Sequence, residues 1–239
     1  MLGLSRGISA AGAAVAAGLV TTGGWAVVTV KELPEYLVAG REYRVEFQVR
    51  QHGTHLLAGL EPALIVRRSD RPRLLGGDAG AKVRALGLPA PGSYAATFTA
   101  PGGGAERVFL TIENGFGSEL RLYPIAVVRP GTAPAPPGEL ERGQALFVAK
   151  GCNTCHQADL PNRPDNARYD VGPGLAGRRL PAQLVVAKLT GPASQRMPDL
   201  ELADAEVRAL AAFLSGSAEA GRAESEGGRG RGDARRDRP

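Results

Sequence analysis

Gly151-Cys152-Asn153-Thr154-Cys155-His156 is the stretch that decides how the last part of this 239-residue chain folds. Two thiols three positions apart, with a histidine directly after the second, read as a c-type haem attachment site. The cysteines can form thioethers to the two vinyl groups of one porphyrin, and on a helical turn His156 points its imidazole at the iron. Three rival readings stand beside this one. A thioredoxin-like redox pair needs a βαβ context and has no use for the trailing histidine. A zinc site needs ligands at a second knuckle, which the chain lacks, and a structural disulfide is the third alternative.

The length allows one large or two small domains, each able to bury a core, and the run Thr132-Ala133-Pro134-Ala135-Pro136-Pro137-Gly138 favours two. Repeated prolines favour polyproline II, so 131–138 reads as an extended linker acting as a spacer. A net charge of only +5 and an aromatic content of 5% give no basic stripe interleaved with aromatics, which argues against a nucleic-acid partner.

Both cysteines belong to the one motif, so none is left for another disulfide or a lipid anchor. Haem is attached to such motifs outside the inner membrane, which makes an export signal a required companion. Arg6 followed by the small, apolar run from Gly7 to Val30, with Ala14-Val15-Ala16 as a cleavage-like triplet, supplies one at 1–22. The run is also long enough to span a bilayer. The Trp25–Val30 segment suits a strand, however, which leaves too short a core to span and favours a cleaved signal over a retained anchor. The expected location is periplasmic, with membrane contact only if the segment is retained.

From 23 to 130 the pattern is that of strands. Glu42 to Arg50 alternates strictly, with Tyr43, Val45, Phe47 and Val49 on one face and charges on the other. Similar runs follow at Ala63–Arg67, Ala81–Leu86, Ser93–Ala100, Glu106–Glu113 and Leu120–Val128, separated by Gly- and Pro-rich turns. This predicts an all-β immunoglobulin-like sandwich. The phrases Trp25-Ala-Val-Val-Thr-Val, Val49-Arg-Gln-His52-Gly and Pro91-Gly-Ser-Tyr-Ala-Ala-Thr-Phe-Thr99 resemble the YtkA-like or FixH-like extracytoplasmic domains, which are often linked to metal or oxidase assembly. His52 and His55, at i and i+3 beside a turn, are candidate copper ligands, because imidazole suits copper. Two ligands make an incomplete site, and a hydrogen-bonded loop pair is the plainer reading.

From Gly138 the period becomes helical. Helices are predicted at 139–148, with acids in the first turn, at 181–189, and at 204–214, where Val207, Leu210, Ala211 and Leu214 make an amphipathic stripe. Between them lie a polar loop from Gln157 to Asp170, the turn Val171-Gly-Pro-Gly-Leu175, and Met197-Pro198. Residues 216–239 hold too little apolar surface to fold and read as a disordered tail. The order of parts in 139–215 resembles small class I cytochromes c, an all-α fold: leading helix, Cys-x-x-Cys-His, Gly-Pro-x-Leu, methionine loop, and a last helix ending Ala-Leu-Ala-Ala-Phe-Leu. The resemblance implies one covalent haem c on Cys152 and Cys155, His156 and Met197 as axial iron ligands, and the Pro173 carbonyl as acceptor for the free nitrogen of His156. One departure is Ala203, where the family carries Ser or Thr as the helix cap.

With both axial positions filled, the expected role is electron transfer, with no catalytic residue. The expected partners are redox proteins, such as a membrane-bound respiratory complex to which the sandwich docks the haem. Two other roles stay open for the sandwich. It could be a copper-binding or oxidase-assembly module with an accessory haem, or an adaptor that only anchors the haem near an oxidase.

Overall fold

The computed structural model describes residues 25–69, 78–102, 106–161, 171–192 and 197–229, with side chains described through 216. The export segment expected at 1–22, residues 162–170 of the loop after the motif, and the end of the tail from 230 lie outside the described residues. Among the described residues no helix is long and apolar enough to cross a membrane.

The N-terminal region is built from strands in two sheets. One sheet runs in the order β1 (Ala26–Val30), β3 (Glu42–Gln51), β8 (Ser93–Thr99) and β7 (Leu86–Gly87), with β4 (His55–Leu56) paired to β3. The other runs β2 (Tyr36–Val38), β11 (Ile125–Val128), β9 (Arg107–Glu113), β5 (Ala63–Arg67) and β6 (Ala81–Arg84), with β10 (Glu119–Arg121) on β9. Alternation decides what each face does. Val28, Val30, Phe47, Val49, Tyr94 and Phe98 of the first sheet share one apolar cluster with Leu64, Val66, Val108, Leu110 and Ile112 of the second.

Two runs read as single strands are each divided. The chain leaves the second sheet after Arg84 and joins the first at Leu86, so 81–86 becomes β6 and β7, hinged at buried Ala85. Pro124 lacks an N–H for the ladder and separates β10 from β11. Strands β2 and β4 were not expected; at two or three residues each they are too short to show a period.

The C-terminal region carries α1 (Glu139–Ala149), a 3-10 turn (Cys152–Thr154), α2 (Ala182–Leu189) and α3 (Asp204–Arg229). Helix α1 crosses α3 at Gly143, where a β-carbon would overlap the Ala209 carbonyl oxygen and lie 2.6 Å from Phe213 Cβ. Phe147 and Phe213 meet edge to face across the crossing, with ring centroids 5.5 Å apart. Helix α3 begins where expected. Its Ala203 amide is bonded by Glu206 Oε2 at 3.2 Å, so Glu206 supplies the half of a capping box that needs no Ser or Thr. The helix continues past Leu214 to Arg229, so the expected disordered tail is helical backbone over its first part; the Ala, Glu and Arg of 216–229 propagate a helix and no proline stops it.

The linker from Arg129 to Gly138 has neither helix nor strand, yet it does not space the two regions apart. Lys150 Nζ donates to the Lys31 carbonyl at 2.7 Å, Thr29 Oγ1 to the Lys150 carbonyl at 3.3 Å, and Tyr123 Oη to the Pro161 carbonyl at 3.1 Å. Arg142 also donates to the Leu33 carbonyl. Buried side chains of α1, α3 and both sheets form one apolar cluster. The spacer expectation missed this, because proline content sets a linker's stiffness and not whether the faces at its ends are complementary.

Candidate haem-attachment site

Helix α1 delivers the chain to the motif. It ends at Lys150, and Gly151 then takes the left-handed conformation (φ +77°) that commonly stops a helix, its N–H donating to the Val148 carbonyl at 2.9 Å. Any larger residue is excluded twice there, since a β-carbon would also lie 2.6 Å from the Val28 carbonyl oxygen and overlap Val27. The 3-10 turn follows, with the amides of Cys155 and His156 both donating to the Cys152 carbonyl, at 3.1 and 2.9 Å. One tight turn therefore holds both thiols and the imidazole.

The Gly172-Pro173 segment is fastened to that turn. Gly172 N–H donates to the Cys155 carbonyl at 3.0 Å, and Leu175 and Ala176 donate to the Gln157 carbonyl at 2.6 and 3.0 Å. His156 Nδ1 lies 3.0 Å from the Pro173 carbonyl oxygen. A carbonyl only accepts, so Nδ1 carries the proton in this contact and Nε2 is left with its lone pair. Gly172 is a residue whose part the motif alone did not reveal: a β-carbon there would lie 2.5 Å from His156 Nδ1 and 2.8 Å from Nε2. The backbone therefore packs flat on the ring, and only glycine permits it.

Burial pushes the Cys152 thiol up to about 12, with the neighbouring Cys155 adding to the shift, and burial raises Cys155 as well. Both cysteines are then neutral thiols near neutral pH. Among the described residues no group of three or more His, Cys, Asp and Glu could hold a metal ion, so the zinc reading finds no ligand set. The donor set fits haem c: two thiols on one turn, an imidazole with its Nδ1 already engaged, and a methionine. On α2, Leu184 is 48% and Val186 37% exposed.

Met197 is half-buried at a bend between α2 and α3; residues 193–196 before it lie outside the described residues. His52 and His55 are not drawn into this site. His52 has a left-handed backbone (φ 51°), donates its amide N–H to the Trp25 carbonyl at 2.9 Å and sets its ring edge to face with Trp25 at 5.6 Å. His55 is exposed on β4, paired to Gln51. Among the described residues no carboxylate or thiol cluster accompanies these two imidazoles, and two ligands make an incomplete copper set.

Helices on either side of a Cys-x-x-Cys-His turn, with the histidine held by a Gly-Pro carbonyl, define a covalent haem-binding fold. Residues 140–218 match the family model described as Cytochrome c, and the C-terminal region is a cytochrome c domain. That domain makes the chain a haem-binding electron-transfer protein that works with redox partner proteins. No curated protein matches the chain in sequence. Among solved structures the chain is similar to the ZirS C-terminal domain (14% identity, TM-score 0.32, covering 53% of this chain and 87% of that one). It is also similar to the S-layer protein SbsC domains 4 and 5 (14%, 0.27, covering 44% and 54%). A third likeness is to the N-terminal Ig1-2 module of Drosophila receptor protein tyrosine phosphatase DLAR (14%, 0.26, covering 46% and 53%). Likenesses this low say nothing of what the chain does.

Proposed function

We propose that this chain is an exported, periplasmic carrier of one covalently bound haem, with the iron held between His156 and Met197. In this reading the N-terminal region is an immunoglobulin-like sandwich of the YtkA-like or FixH-like kind that docks the carrier to a respiratory or other membrane complex. The observation that carries it is the 3.0 Å contact of His156 Nδ1 with the Pro173 carbonyl, which turns Nε2 into the ligating nitrogen on the same turn as both thiols. Bound haem supplies a one-electron iron couple. The residues of this chain would hold it: Cys152 and Cys155 would tether the ring, His156 and Met197 would supply its two protein ligands to iron, and the Met197 thioether would favour the reduced state. Such a ligand set would leave electron transfer without bond-making as the chemistry.

Pyridine haemochrome analysis of the exported protein tests this reading, with one haem per chain and a shifted α-band as the expected result; a haem-free product would end it. Met197→Ala is expected to remove any sulfur-to-iron charge-transfer band and lower the potential in a redox titration, and an unchanged band would remove Met197 from the ligand set. Gly172→Ala should force the imidazole off the Pro173 carbonyl. Loss of such an outer partner weakens ligation by about 10–100-fold, which competition with added imidazole would read directly.

A further inference from the structure

The first sheet has a second face, and it is not solvated. Val27 and Thr29 of β1 lie opposite Arg50 and Gln48 of β3, on the side away from the apolar core. Sequence alternation alone assigns that side to water, yet Thr29 is 5% and Arg50 8% exposed. The residues that lead into the attachment turn lie against this face. Val27 and the Val28 carbonyl abut Gly151, and Thr29 Oγ1 donates to the carbonyl of Lys150, two residues before Cys152. Arg50 Nη1 in turn donates to Thr29 Oγ1 at 3.2 Å, and its Nη2 to Gln48 Oε1.

Arg50 differs from the other buried cation of this interface. Lys150 has a carboxylate at 2.8 Å, Glu206 Oε1, which cancels its charge locally. The hydrogen-bond partners of Arg50 among the described residues, Thr29 and Gln48, are neutral. The acid whose field it feels is Glu201, an exposed residue in the loop that carries Met197. That loop is itself set by the left-handed Glu201 (φ 50°), whose amide donates to Asp199 Oδ1 at 2.9 Å. A guanidinium stays charged when buried, and its field reaches further through protein than through water. Arg50 thus reaches the segment that leads into the cysteine turn through Thr29, and feels the charge of Glu201 in the loop bearing Met197.

We infer that the outer face of the first sheet is a fixed wall of the haem site, and that Arg50 is a positioning residue in it, tying the attachment turn to the sheet and setting a buried positive charge that favours reduced iron. The inference rests on the haem reading above and gives the N-terminal region a part in the redox site itself, beyond docking. It assigns the two regions one rigid arrangement in which the sheet adjusts the driving force of electron transfer.

The test uses the full-length, haem-loaded protein and its midpoint potential. Arg50→Gln is expected to shift the electron-exchange equilibrium about tenfold towards the oxidised form, which is about 59 mV for one electron. Arg50→Lys should keep most of the parent potential, and Arg44→Gln, an exposed arginine on the same strand, should leave it unchanged. Loss of a merely structural contact would lower stability without this charge-dependent order. A haem-bearing Arg50→Gln protein with the parent potential would overturn the inference. If Arg50→Gln does not fold, Glu201→Gln on the exposed loop decides: a rise in potential supports the inference, and no shift overturns it. A parent chain with no haemochrome overturns the haem reading, and this inference with it.

Discussion

Replacing Lys150 with alanine is expected to lower the unfolding free energy of the haem-loaded protein by about 3–5 kcal/mol, the usual cost of breaking one side of a buried ion pair. The side chain of Lys150 is 2% exposed and that of Glu206 15% exposed, with 2.8 Å between the charged atoms. Surface pairs are worth little because water screens them; this one is shielded. The ammonium also donates to the Lys31 carbonyl, and the partner carboxylate bonds the Ala203 amide that starts α3. One side chain therefore joins α1, α3 and the chain leaving β1. Alanine would leave a desolvated carboxylate and a strand-end carbonyl without their donor. Lys150→Met separates charge from bulk: it keeps most of the stem, and should lose nearly as much if charge dominates. Adding Glu206→Gln to Lys150→Met should then recover part of the loss. Guanidinium unfolding measures all three, and a deficit below about 1 kcal/mol for the alanine variant would class the pair with surface bridges.

Gly143→Ala reverses the sign that local propensity assigns. An alanine inside a helix is favoured over glycine by about 1 kcal/mol, so an isolated α1 would gain. In the folded protein the added methyl would overlap the Ala209 carbonyl oxygen and press on Phe213. Neither can yield cheaply, because one is helix backbone and the other is locked edge to face on Phe147. Separating the helices would open gaps beside Leu146 and Leu210, both about fully buried. The expected net cost is about 3 kcal/mol, the upper part of the range for overpacked cores. A higher thermal midpoint for this variant would show that the crossing relaxes more easily than the contacts imply.

Much of the site was legible because covalent chemistry is written locally. Cys152, Cys155 and His156 sit within five positions, and the Gly-Pro phrase sits close behind them. Strands β3 and β9 were legible for a similar reason, since each carries its own alternation over several residues, and β5 as a short apolar run. What brings the two regions together is of another kind. Thr29 and Lys150 are 121 positions apart and meet through a single hydrogen bond. Arg50 looks like any charge on the wet side of a strand until a second region is laid over it. Gly143 and Gly172 look like tolerated glycines until the atoms above their Cα positions are known. Such contacts leave no periodic trace, because one polar or small residue suffices at each.

The burial of β1 has a consequence for how the chain behaves before it is complete. Ala26-Val-Val-Thr-Val30 is a short, uncharged, β-branched segment at the margin of its sheet, the composition that most readily recruits strands from other molecules. All five of its residues are buried, and the end of α1 with Gly151 lies over its outer side. The cytochrome domain thus acts as the guard of a sticky margin that is synthesised more than a hundred residues earlier. By this geometry the outer side of that margin is covered only when the second half of the chain has folded onto it.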